Sequence, residues 1–189
     1  YIIRKGSKDL GSTTLEGSRP GMAMLVHSGL RIIGREGYEI LIDQGIEKAR
    51  AFAKLIEQND LFELITKPEL NILTYRYCPS WAQEALLKAP PAQMERINTH
   101  LNRITKYIQK TQRELGKAFV SRTRLEPQLY QGSPCVVFRV VLANPLTTTD
   151  ILEEILSEQA ELAKHPKIAS EIAAFERLCN HENSQTKAS

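Results

Sequence analysis

Apolar residues recur three and four positions apart at Met94, Ile97, Leu101, Ile104 and Ile108, and this stripe predicts the clearest helix of the chain. Leu115 continues the stripe and Gly116 ends it. A second stripe, Ile42, Gly45, Ile46, Ala49, Phe52, Ala53 and Ile56, predicts a helix over 38–58. Ahead of it, residues 22–33 are largely apolar, which suits a helix covered on most sides. Ser18 is a good N-cap for that helix, Pro20 fits its first turn, and Gly34 suits the position after its end. The break Gly34-Arg35-Glu36-Gly37 predicts a bend between the two helices.

Alternation of period two predicts strands. Residues 62–66 read as a short one. Residues 71–78 read as a longer one, with Ile72, Thr74 and Arg76 on one face, Leu73, Tyr75 and Tyr77 on the other, and Pro79 at its close. Residues 80–92 read as a connection. A strand follows over 119–125 with Val120, Arg122 and Arg124 on one face, then a turn at 130–134 and another strand through 136–145. Thr147 with Asp150 resembles a capping box for a final helix over 151–164, and the sequence after Phe175 is polar. The order is helix, helix, strand, strand, helix, strand, strand, helix. It predicts an α+β fold, a small and mainly antiparallel sheet with helices on one face.

Charge and chemistry narrow the function classes. The 189 residues carry a formal net charge of +3, with bases scattered among acids and no track for nucleic acid. No apolar run has the length of a membrane span, and no signal-peptide pattern opens the chain. Cys78, Cys135 and Cys179 lie far apart without a CxxC pair, which argues against a disulfide framework or a zinc site and for a cytoplasmic protein. The chain begins at Tyr1, and residues 4–18 are rich in Gly, Ser and Thr; a C-terminal piece of a longer protein is expected. His27 reads as a packed core residue, His100 as solvent-facing, His165 and His181 as incidental. The lysines fall on polar faces, so no nucleophile, base or metal centre emerges.

Arg139 stands out, in the middle of an apolar strand and just before Asn144-Pro145. A buried guanidinium requires an anionic partner, and two readings fit. It pairs internally with Asp or Glu, or its planar fork clamps a ligand carboxylate in two-point contact. Ser18 also has two readings, a plain N-cap or a hydroxyl at a phosphate-binding helix N-terminus. Gly11-Ser12-Thr13-Thr14 could offer further amides and hydroxyls to an anion.

Leu15-Glu16-Gly17-Ser18-Arg19-Pro20-Gly21, then Gly34-Arg35-Glu36-Gly37-Tyr38, then Phe138-Arg139-Val140-Val141-Leu142-Ala143-Asn144-Pro145 resemble, in order and spacing, the group II pyridoxal-phosphate-dependent decarboxylases, the glutamate and aspartate decarboxylase branch in particular. The resemblance implies the C-terminal domain of a fold-type-I enzyme. Residues 1–36 would end the large cofactor domain, 37–175 form the small domain, and 176–189 a polar tail. It implies that Arg139 holds the substrate α-carboxylate and that Ser18 reaches the cofactor phosphate of the neighbouring subunit in a homodimer. Arg19 and Gly11–Thr14 would lie at the rim of the site. Pyridoxal 5′-phosphate is the implied cofactor of the intact enzyme. Its Schiff-base lysine is expected upstream of Tyr1, which leaves this piece without a catalytic residue and inactive alone. The implied substrate is L-aspartate, giving β-alanine for pantothenate synthesis, with L-glutamate to γ-aminobutyrate as the rival. Neither a nucleic-acid nor a membrane partner is implied. A reading of another class is a non-catalytic α+β module that binds RNA through Arg122, Arg124 and Arg139 on one sheet face.

Overall fold

A computed structural model describes residues 20–185. The chain divides into two units, residues 1–41 and 42–189. Helix α1, Met22–Glu57, runs through both and is interrupted at Gly34, whose φ of 71° and ψ of 176° suit only glycine. The predicted bend is therefore present. Pro20 precedes the helix instead of sitting in its first turn.

In the first unit the apolar run 22–33 is largely exposed. Met24, Leu25, Val26, Leu30 and Ile32 are all more than half exposed, and His27 is exposed too, not packed.

The second unit is built on four antiparallel strands in the order β1-β2-β4-β3: β1 Phe62–Thr66, β2 Ile72–Tyr77, β3 Ser121–Leu125 and β4 Cys135–Val141. The register pairs Tyr75 with Phe138 and Arg122 with Phe138, so these side chains share one face. Helices cover that face. Phe52 of α1 meets Tyr75 edge-on at 5.4 Å, and the Tyr75 hydroxyl donates to Gln159 Oε1 at 2.9 Å. Arg122 donates to the Lys106 carbonyl at 3.3 Å.

Helix α3, Pro91–Leu115, is where the periodicity predicts it. Met94, Ile97, Leu101, Ile104 and Ile108 are all buried, each contributing about 1.5–3 kcal/mol. Leu115 leaves the stripe and is exposed, and Gly116 ends the helix in the left-handed conformation. Helix α4, Thr149–Ala163, is capped by Thr148, which accepts from the Ile151 amide, and not by Thr147.

Two helices depart from expectation. Residues 80–92 contain α2, Ser80–Lys88, because Ala82, Glu84, Ala85, Leu86 and Leu87 are strong helix formers between two prolines. Helix α5 spans Ala169–Gln185 and so runs into the polar segment that follows Phe175. Phe175 and Cys179 of α5 are buried, and Phe175 stacks on Trp81 at 5.1 Å.

Candidate functional site

The candidate site centres on Arg139, on the sheet face opposite to that of Tyr75 and Phe138. Arg139 on β4 lies directly opposite Thr74 of β2 on one side and Ser121 of β3 on the other. Its side chain is exposed, so burial does not demand a partner. Among the described residues no carboxylate lies within ion-pair distance of it. The internal ion pair is thereby corrected: Arg139 lies in the more exposed last three residues of β4, past the buried Cys135, Val136, Val137 and Phe138.

The contacts around Arg139 are local. Its Nε donates to Ser121 Oγ at 3.4 Å, and Ser121 Oγ donates to the Arg139 carbonyl at 2.7 Å. Thr74 Oγ1 donates to Thr66 Oγ1 at 2.7 Å and leaves the guanidinium alone. Beyond β4 the chain is seated on α1. Lys48 Nζ donates to the carbonyls of Asn144 at 3.2 Å and Pro145 at 2.5 Å, and the Leu142 carbonyl passes close over Gly45.

Two registers along β2 lies the buried ion pair, at Arg76. Its Nε donates to Glu63 Oε2 at 2.6 Å and its Nη1 to Asn98 Oδ1 at 2.7 Å, with the Tyr130 ring 4.6 Å from the guanidinium carbon. The Tyr130 hydroxyl donates to the other Glu63 oxygen. Burial opposes the Arg76 charge, and the surrounding acidic groups, Cys78 and Glu63 first and then Cys135 and Tyr130, together outweigh it, so the group is held above its ordinary pKa. Burial also pushes the Tyr130 hydroxyl and the Cys135 thiol up, which keeps both neutral. Cys135 Sγ accepts from Arg76 Nη1 at 3.3 Å. This cluster is closed to ligand and structural. Sequence reading missed its role although Arg76, between Tyr75 and Tyr77, carried the signal.

The remaining candidates divide. Ser18, Arg19 and Gly11–Thr14 lie outside the described residues. Arg122 and Arg124 point to the helix side of β3, whereas Arg139 lies on the opposite face, so the single arginine face of an RNA-binding module does not form. His100 is half-buried and sits 2.7 Å from Glu171, not in solvent. His165 caps the turn Pro166–Ile168 by accepting from the Lys167 amide.

The described residues do not make a cofactor site. Every described lysine except Lys48 is exposed, and Lys48 is engaged by the two carbonyls beyond β4. A groove of about 780 Å³ between the end of α3 and α4 is lined by Glu153, Glu154, Glu158 and Glu161, and it would repel a carboxylate substrate. Among the described residues no group of three or more His, Cys, Asp or Glu could hold a metal ion, and no helix is long and apolar enough to cross a membrane.

No family model matches the chain. The sequence is 62% identical over 169 residues to the aspartate 1-decarboxylase of Aliivibrio fischeri, covering 89% of this chain and 31% of that protein. It is also 27% identical to the aromatic-L-amino-acid decarboxylase of Bacillus atrophaeus, covering 87% of this chain and 30% of that one. The chain thus spans about a third of the length of the curated decarboxylases it matches. Mouse CSAD superposes with a TM-score of 0.63 at 19% identity over 86% of this chain and 32% of that one. Rice TDC gives 0.57 at 17% over 82% and 30%. These two likenesses show that the helix-covered, four-stranded α+β unit shares the fold of the matched parts of those chains.

Proposed function

We propose that this chain is the C-terminal portion of a pyridoxal-phosphate-dependent carboxy-lyase that removes the α-carboxylate of L-aspartate to give β-alanine. The identity to an aspartate 1-decarboxylase, high over nearly the whole chain, carries the substrate choice over glutamate. The exposed apolar helix surface at Met24, Leu25, Val26, Leu30 and Ile32 supports further polypeptide packing there. The cofactor, its lysine and the rest of the site belong on that further polypeptide, and the chain alone is inactive. The whole enzyme acts as a cytoplasmic homodimer, with Ser18 at the cofactor phosphate of the neighbouring subunit and β-alanine supplied to pantothenate synthesis.

The chain's own contribution is Arg139. Its guanidinium is permanently charged, exposed and, among the described residues, free of any carboxylate, on the sheet face opposite Tyr75 and Phe138. There it binds the α-carboxylate in two-point contact and fixes its direction, so that the bond to be broken is held in one orientation. Arg139→Ala in the full-length enzyme removes a charged hydrogen-bond pair, about 1.5–3 kcal/mol of substrate binding. KM should rise by one order of magnitude or more, while cofactor absorbance is retained. Unchanged kinetics would remove Arg139 from the site.

A further inference from the structure

The hydrogen bonds at Arg139 have a direction. Ser121 Oγ donates its single proton to the Arg139 carbonyl at 2.7 Å, which leaves only its lone pairs to face the guanidinium. Arg139 Nε then donates to the same oxygen at 3.4 Å. The serine is half-buried on β3, directly opposite Arg139 in the ladder, so the backbone pairing sets its place. On the other side Thr74 is tied to Thr66 and does not compete. Arg139 Nη1 and Nη2 have no hydrogen-bond or ion-pair partner among the described residues. One edge of the guanidinium is held and its outer fork is left open.

We propose that Ser121 is a positioning residue that anchors the Nε edge of Arg139 and so aims its two Nη groups at the α-carboxylate of the substrate. This rests on Arg139 as the carboxylate clamp. A long, exposed arginine side chain samples many rotamers, and ordering it on binding weakens affinity. Ser121 restricts those rotamers before substrate arrives. The serine touches neither substrate nor cofactor and acts only through Arg139.

The test compares Ser121→Ala, Ser121→Thr and Arg139→Ala in the full-length enzyme. The readouts are KM and kcat for the amino acid, together with inhibition by the decarboxylated product. That product no longer carries the α-carboxylate, so its binding does not depend on the fork. Ser121→Ala should raise KM about three- to tenfold, the effect of one hydrogen bond, with kcat within about twofold of the parent and product inhibition unchanged. Ser121→Thr keeps the hydroxyl and should restore KM. If Ser121→Ala leaves KM unchanged while Arg139→Ala raises it, the positioning role is overturned and the clamp stands. If Ser121→Ala weakens product and substrate alike, the serine is structural and the inference fails. Parent-like kinetics of Arg139→Ala would overturn the clamp and the inference together.

Discussion

Arg76 and Glu63 stand directly opposite one another on β2 and β1, with Arg76 Nε 2.6 Å from Glu63 Oε2 and the arginine wholly out of solvent. A buried pair of this kind contributes little over two apolar residues, but breaking it strands a charge. Arg76→Met should therefore destabilise the chain by about 3–5 kcal/mol, seen as a lower urea midpoint. The double change Arg76→Met with Glu63→Leu should recover much of that loss. A single variant as stable as the parent would contradict the pairing.

The same pair shows what the sequence could and could not reveal. An arginine inside an apolar strand was the correct signal for a buried ion pair, but two strands offered it. Alternation alone does not say which position faces covered space. At Arg76 the turn Gln128–Tyr130 closes over the sheet and Glu63 is opposite, while Arg139 is exposed and its cross-strand neighbours are Thr74 and Ser121. Ser121 was invisible because its role depends on cross-strand register. Helix α3 was legible from five well-spaced apolar residues. Helix α2 was hidden by its shortness and by Ala89-Pro90-Pro91, which reads as a loop although Pro90 caps α3 and Pro91 opens it. Helix α5 was hidden because Ile172, Phe175 and Cys179 are sparse among polar residues.

Gly45 tests how tightly the end of β4 is seated. A Cβ there would lie 3.0 Å from the Leu142 carbonyl oxygen and 3.3 Å from Asn71 Cβ. That carbonyl is in a fixed stretch, since the Leu142 amide donates to Asn71 at 2.8 Å. Gly45→Ala should incur about 1–3 kcal/mol of strain, of which helix propensity returns about 1 kcal/mol. A lower melting temperature is expected, and a higher one would show that the loop yields.

Glu171 joins α5 to α3 through His100 at 2.7 Å and Arg103 at 3.2 Å. Burial acts to raise its carboxyl, but the hydrogen bond from His100 and then the charge of Arg103 outweigh this and hold it below the ordinary value. A depressed carboxyl contributes stability above its unfolded pKa and loses it as pH falls through the folded pKa. The stability gap between the parent and Glu171→Gln should thus be full at neutral pH and close as pH falls below the ordinary carboxylate range. Denaturation midpoints across that range check it, and a gap that does not change with pH would contradict the ion pair.

The most direct test of the proposed activity is product analysis of the full-length protein given pyridoxal phosphate with equal aspartate and glutamate. β-Alanine should be the main product, and its formation should fall in the Arg139→Ala variant. γ-Aminobutyrate as the main product, or no amine from either acid, would contradict the assignment as an aspartate 1-decarboxylase.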